Sequence, residues 1–567
     1  MKNPEKLLKY GAIFGIAFCS VLLLPQAQIF IIEIGESLLR KNLGHNYWMQ
    51  RMQTDLLTAI FLFCCILVIP IKNIKNFFIF SSIIIVAISF IVRIIMYLKC
   101  RSLWLDEAYL AENIVSRNWL ELLVPPLINK QSAPVLYVIA EKSICELFGY
   151  SEFSLRIFSL FAFAGLLICE TVFVKKVFNF SNHKIAFVVV ISALLPSYIY
   201  YSNELKPYMS DAFFAVLTIL LYVYYTQNKI KLPILTVLYI IILGFSSPAI
   251  FFIGGVFFSE FLIAVFNKNK KAIISISLSG VVILAIFGLY YLWWQYPISE
   301  AMKIDWDKYA GKVNIVMRIL KIFHPSLAVW IFVPFALLGF YSSLVQKNKI
   351  AYSVGLSIFL AFLASAIGKW PLVGRLWLFL PAIVLIFTPV GWDFIQDKIK
   401  QKKLTNIVEF SFLPVIVICF LVNCLGYGGD WGGDRVYLRF QEINPLIHYV
   451  QQNIKEDEKL YVYQASRAAF VYKNGYGTAK IGNVTKDNII FGTKRNEWNE
   501  SVLGNELKSI LENEKTYLIF SHHKTGIIDI DKGLAVLRNY GTLTEVMNVY
   551  DTPLYYFERK DKNPATD

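Results

Sequence analysis

A series of apolar blocks, each roughly 18–23 residues long, constrains this chain more than any other feature, because that length of α-helix crosses about 30 Å of hydrocarbon. Thirteen such spans are read at 10–32, 55–71, 77–97, 153–174, 185–202, 207–226, 232–248, 249–266, 272–294, 327–345, 350–367, 376–395 and 407–425. A membrane β-barrel would instead show short strands of alternating polarity. The expected fold is therefore a polytopic α-helical membrane protein of about 13 transmembrane helices. The connections KNIKN (72–76), KK (175–176), NKIK (228–231), NKNKK (267–271), QKNK (346–349) and QDKIKQKK (396–403) are basic and fall at alternate ends of the spans. Lys and Arg mark the cytoplasmic side. With a cytoplasmic N-terminus, the loop 98–152, the short connections 201–208, 246–248 and 368–375, and the loop 295–326 face outward. An odd number of spans places the C-terminal tail outside as well.

Composition agrees: 56% of residues are hydrophobic and only 17% charged. The net charge of +15 comes from Lys residues lying between apolar blocks, where they serve as topology signals and headgroup contacts. With no Gly-rich phosphate loop and no basic-aromatic run, no nucleic-acid partner is expected. Eight cysteines sit mostly inside apolar segments, without a CxxC pair and with none after Gly426, which speaks against a disulfide framework or a structural zinc site. The first block follows Lys2, Lys6 and Lys9 and is too long for a signal-peptide core, so it is read as a retained span. From Gly426 the pattern changes. After the Gly-rich GYGGDWGGD come the amphipathic NPLIHYVQQNI (444–454), the strand-like KLYVYQA (459–465), the helical NELKSILENE (505–514), the strand-like TYLIFSHH (516–523), and two strands with a turn in TEVMNVYDTPLYYFER (544–559). Helix and strand alternating in this way indicate a small extracytoplasmic α/β domain at 426–567, following a transmembrane module at 1–425. It is expected to cap the outer chamber or help to bind acceptor.

The outward segments carry the candidate chemistry. WLDEAYLAENI (104–114) has helical periodicity at Leu105, Ala108, Tyr109 and Ala111, consistent with an amphipathic helix at the outer interface. Asp106 and Glu107 are adjacent, so they point about 100° apart on that helix and cannot share one task. Either one carboxylate faces a cavity while the other braces the helix or meets a cation, or both sit in the headgroup layer. In YYSNELKPYMSD (200–211), Pro207 disfavours helix at Lys206 and suits the first turn of the next span. That puts Lys206 at the positive end of an outward-facing helix, a place that suits phosphate or a snorkelling contact with lipid. In GKWPLVGRLWLFLP (368–381), Arg375 can grip phosphate through two parallel hydrogen bonds or anchor the interface, with Lys369 nearby. Lys130 precedes the Pro-marked start of another outer helix in LINKQSAPVLYVIAEKSICELFG (127–149). His324 has no partner at metal-ligand spacing and is read as structural. A chamber holding the carboxylates with Lys206 and Arg375 suits a reaction that expels an anionic leaving group: the carboxylate takes a proton from an acceptor and the cations neutralise a phosphate.

The sequence resembles the GT-C superfamily of integral membrane glycosyltransferases, in particular the protein O-mannosyltransferases and the aminoarabinose transferases that modify lipid A. WLDEAYLAENI, SAPVLYVIAEKSICELFGYSEFSLRIFSLFAFAGLL, PSYIYYSNELKPYMSDAFFAVL and KWPLVGRLWLFLPA carry the resemblance, in the family's order, over roughly 100–225 and 365–385. It implies a polyprenyl-phosphate sugar donor used at the outer face of the cytoplasmic membrane, inversion at the anomeric carbon, and a lipid, glycan or protein acceptor. By the same resemblance Asp106 is the base, Glu107 its orienting or cation-linked neighbour, and Glu204 a further acidic site residue. Lys206 (where the family usually has Arg), Tyr208, Arg375 and Lys130 would approach the donor phosphate. Two extra spans precede the acidic loop, an even number that keeps it outside. SAP replaces the double proline usual before LY. Some relatives bind a divalent metal, for which the sequence identifies no ligands. A flippase or transporter also fits many spans with outer charges, but it would show matching halves and ionisable residues at mid-membrane, whereas these spans are nearly free of Asp and Glu in their middles. A surface-polysaccharide polymerase or ligase would carry a longer outer loop than 295–326.

Overall fold

The structure, a computed structural model, describes residues 71–302, 327–371, 374–398, 442–474, 480–481, 484–492, 504–521, 530–549 and 552–560. The expected spans 10–32 and 407–425, all of 55–71 but its last residue, the linker 426–434 and His324 lie outside the described residues.

The other ten expected spans are helical. Helix α1 is Ile71–Leu98, and three further helices, α2 (Leu105–Ser116), α3 (Trp119–Leu122) and α4 (Val135–Phe148), build the segment before the next pass. The bundle continues with α5 (Ser154–Val177), α6 (Asn182–Leu194) with α7 (Pro196–Tyr201), α8 (Tyr208–Thr226), α9 (Leu232–Phe245) and α10 (Ala249–Phe266). Next come α11 (Lys270–Tyr290), running through a π turn at Tyr291–Gln295 into α12 (Tyr296–Met302), then α13 (Leu327–Val345) and α14 (Lys349–Ala366). The last described pass is a 3₁₀ turn at Gly374–Trp377 followed by α15 (Phe379–Val384) and α16 (Thr388–Gln396). Among the described residues, seven helical segments are long and apolar enough to cross a membrane, and the chain is a multi-pass helical membrane protein.

Local chemistry explains the interruptions. Leu195 is extended (ψ 119°) because Pro196 follows it, so the expected span 185–202 is a broken helix. Helix α8 is the hub of the bundle: Tyr208, Met209, Ala212, Ala215, Val216, Ile219 and Tyr222 are all buried in the main core. Helices α13 and α16 touch backbone to backbone. A Cβ on Gly391 would lie 1.8 Å from the Phe335 carbonyl oxygen and one on Gly339 2.1 Å from that of Phe387, so only glycine permits this approach. Carboxyl groups do lie within the described passes: Asp393 of α16 pairs with Lys184, and three others stand among the helices. Each of these three is held by a hydroxyl: Glu170 by Ser192 at 2.9 Å, Asp211 by Ser246 at 2.7 Å and Glu260 by Tyr222 at 2.5 Å.

Successive passes reverse direction, so the basic connections at 175–176, 228–231, 267–271 and 346–349 lie at the end of the bundle opposite α2. At the α2 end stands the C-terminal unit, which opens with α17 (Asn444–Asn453). Strands β1 (Lys459–Val462), β4 (Ile489–Phe491), β5 (Lys515–Ile519), β6 (Gly541–Asn548) and β7 (Pro553–Arg559) form one sheet in the order β4-β1-β5-β7-β6, with β2 (Lys480–Ile481) and β3 (Val484–Thr485) pairing separately. Strand β1 runs parallel to β4 and β5, while β7 is antiparallel to β5 and β6. Helices α18 (Arg467–Asn474), α19 (Gly504–Leu511) and α20 (Ile530–Tyr540) accompany it. The strand, helix and hairpin patterns read from the sequence are present; α18, α20 and β4 add to them.

Helix α2 differs from the expected interfacial helix. Leu105, Glu107, Ala108, Leu110, Ala111, Asn113 and Ile114 are all buried, because the C-terminal unit covers the face that would have met lipid. Apolar exposure in this region falls on Trp119, Leu120, Val124, Leu147 and Phe148.

Candidate active site

The site grows from the buried carboxylate of Glu107. Its two oxygens accept five N–H bonds: from Arg101 Nη1 (3.0 Å), Arg156 Nε (2.9 Å), Arg156 Nη2 (2.9 Å), and the backbone N–H groups of Trp104 (3.0 Å) and Leu205 (2.9 Å). Its side chain is 0% exposed. Burial alone would raise its pKa, but the guanidiniums of Arg101 and Arg156, with the Leu205 N–H, outweigh that and hold it at about 2. The same arginines reach further: Arg101 Nη2 donates to the Asn203 carbonyl at 3.0 Å, and Arg156 Nη1 to the Arg101 carbonyl at 2.8 Å. Glu107 therefore fastens three pieces of chain, the segment 101–104, helix α5 and the turn 202–207.

That fastening fixes Asp106. One residue earlier on α2, it points away from Glu107 and meets Arg375 of the 3₁₀ turn, Oδ2 to Nη1 3.2 Å, both side chains about a quarter exposed. The Arg375 guanidinium also stands 5.8 Å from the ring of Tyr208, the first residue of α8. Lys206 is buried beside them; its Nζ donates to Gln131 Oε1 at 2.6 Å. Burial lowers the Lys206 pKa, Asp106 opposes that, and Arg375 adds to the lowering, so the three charges sense one another. Glu204, also buried, has one oxygen (Oε2) without a hydrogen bond. Burial first, then the Glu107 charge, raises its pKa to about 7 against the pull of Arg101, Arg375 and Lys206.

Six of the seven residues singled out in the sequence thus come together: Asp106, Glu107, Glu204, Lys206, Tyr208 and Arg375. Lys130 does not. It is exposed, with φ 54° following φ 56° at Asn129, and these two left-handed residues turn the chain so that the buried Gln131 reaches Lys206 instead. Lys369 is exposed as well. Sequence reasoning missed Arg101, Arg156 and Gln131. Arg156 carried a usable signal, a lone guanidinium at the head of an apolar block; Arg101 and Gln131 carried none.

A divalent cation of the kind the resemblance allows needs several oxygen ligands. Both Glu107 oxygens are saturated with N–H donors, Asp106 faces Arg375, and among the described residues no group of three His, Cys, Asp or Glu side chains could hold a metal ion. The described residues do not fit such an ion.

Among the described residues, a helical bundle holds a carboxylate, on the segment between two of its passes, against cations from later passes. Among solved structures the chain is similar to ArnT from Cupriavidus metallidurans in the apo state (TM-score 0.50, 11% identity, 84% of this chain and 97% of that one) and to the same protein bound to undecaprenyl phosphate (TM-score 0.51, 11% identity, the same coverage). At this identity the likeness is one of fold. No family model matches the sequence, and no curated protein does.

Proposed function

We propose that the protein is an inverting glycosyltransferase that moves a sugar from a polyprenyl-phosphate carrier to a hydroxyl-bearing lipid, glycan or protein at the outer face of the cytoplasmic membrane. The observation that carries this reading is the Asp106–Arg375 pair at 3.2 Å with Tyr208 beside it. Arg375 and Lys206 bind the donor phosphate, the planar guanidinium of Arg375 being suited to phosphate oxygens. Asp106 accepts the proton of the acceptor hydroxyl. The acceptor oxygen bonds to the anomeric carbon from the face opposite the leaving group, the carbon–oxygen bond to phosphate breaks, and its electron pair leaves with the polyprenyl phosphate, whose growing charge the two cations neutralise. Tyr208 lines the phosphate side. The undecaprenyl phosphate bound to the ArnT structure supports this class of carrier.

The test is sugar transfer in proteoliposomes from a polyprenyl-phosphate sugar. Asp106→Asn removes the proton acceptor and keeps the shape. Transfer is expected to fall by about 10²–10⁴-fold with undecaprenyl phosphate still bound, whereas Arg375→Ala weakens that binding. Undiminished turnover in Asp106→Asn would remove Asp106 as the base.

A further inference from the structure

The helix that carries Asp106 is held from two sides, and one of those sides is the C-terminal unit. On the bundle side, Arg156 donates to the carbonyls of Arg101 and Ser102, at 2.8 and 3.3 Å. On the other side, the Ser102 N–H and hydroxyl both donate to Glu442 Oε2, at 2.9 and 2.7 Å, and the Asn444 N–H donates back to the Ser102 hydroxyl at 3.0 Å. Glu152, in the connection between α4 and α5 and almost fully buried, completes the seam. Its Oε1 accepts from Asn444 Nδ2 at 3.1 Å and pairs with Lys473 Nζ of α18 at 3.2 Å. Beyond the seam, Leu105 is packed in one apolar cluster with Tyr461, Tyr463 and Ala465, and Ala108 and Ala111 share another with Ala468, Ala469 and Phe470 of α18.

We propose that Glu152 is a positioning residue for Asp106. By fastening Asn444 and Lys473 to the bundle, it lets the C-terminal unit press α2 into the register at which Asp106 meets Arg375. The function of the C-terminal unit is then to hold the base in place, in addition to any contact it makes with acceptor. Glu152 touches no reacting group. Its effect travels through Asn444, Ser102 and the first turn of α2, a path of part-buried hydrogen bonds in which the loss of one partner strands another. The catalytic meaning of this device rests on the reading of Asp106 as base; the mechanical coupling does not.

The test uses the full-length protein in lipid nanodiscs. In Glu152→Ala, amide exchange at 102–107 is expected to rise at least tenfold, while exchange in α8 and in β1 and β5 stays within twofold of wild type. Glu152→Gln, which can still accept from Asn444, is expected to restore most of the protection. Sugar transfer in Glu152→Ala is expected to lose at least tenfold in kcat with acceptor KM within twofold, the split that separates misplacement of the base from loss of acceptor binding. Unchanged exchange at 102–107, or a defect confined to acceptor KM, would overturn the proposal. If Glu152→Ala does not accumulate as folded protein, Ser102→Ala cuts the same path from the other end and is read by the same criteria. Faster exchange at 102–107 in a protein whose Asp106→Asn variant transfers sugar normally would leave the coupling intact and refute the assignment of the base instead.

Discussion

Replacing Glu107 by Gln probes the arrangement most directly. The carboxylate is fully buried and neutralises two guanidiniums, so the amide leaves Arg101 and Arg156 charged with no anion between them. Breaking a buried ion pair by removing one partner costs about 3–5 kcal/mol. A second route gives a similar magnitude. With its pKa held at about 2 against the ordinary 4.5, the ionised group contributes about 3 kcal/mol to folding. The sign follows from the depression: the contribution is fully present above pH 4.5 and is lost as pH falls from there through about 2. Intrinsic fluorescence, from 12 Trp residues, reports unfolding in nanodiscs as a function of temperature and pH. Glu107→Gln is expected to melt several degrees below wild type at pH 7 and to lose the wild-type decline in stability between pH 4.5 and 3. Replacing all three partners together by apolar residues of similar volume should recover much of the loss, because no buried charge is then left alone. A Glu107→Gln variant melting within a degree of wild type at both ends of this pH range would show that Glu107 is not the fastening described.

Glu204 titrates in the opposite sense. Its carboxyl is stabilised as the neutral acid, so its contribution is present below pH 4.5 and is lost as pH rises through about 7. Glu204→Gln should therefore flatten the slope of melting temperature against pH over that interval, and an unaltered slope would place the titration elsewhere. Gly391→Ala pushes a methyl group onto the Phe335 carbonyl. It should drive α13 and α16 apart and cut the yield of folded protein severely, as measured by size-exclusion chromatography after extraction, whereas Gly288→Ala, with nothing within 4 Å, should behave as wild type.

How far the sequence anticipated this depended on the range of the interactions. Hydrophobic blocks and alternating basic loops are local signals; ten of the expected spans are helical in the described residues, seven of them long and apolar enough to cross a membrane, and the same signals put Asp106, Lys206 and Arg375 at one end of the bundle. The 100° step between neighbouring helical residues anticipated that Asp106 and Glu107 would part. The sequence could not show what covers a helix. The apolar positions of α2 read equally well as lipid-facing or protein-facing, and the covering elements, β1 and α18, begin more than 300 positions later. The exchange of Lys130 for Gln131 turned on the left-handed conformations of two non-glycine residues, for which side-chain chemistry gives little warning. The Glu107 cluster depended on Arg156, 49 positions away.

That Ser102 is secured by Glu442, 340 positions further along, bears on how the protein is born. At roughly 5–20 residues per second, tens of seconds separate the emergence of the two residues from the ribosome. Throughout that interval the nascent chain owns its acid and lacks the seam that seats it. A product truncated before residue 442 would carry the helices of the bundle and leave the helix that bears Asp106 unclasped, and the seam closes only once residue 442 and the stretch beyond it have been made.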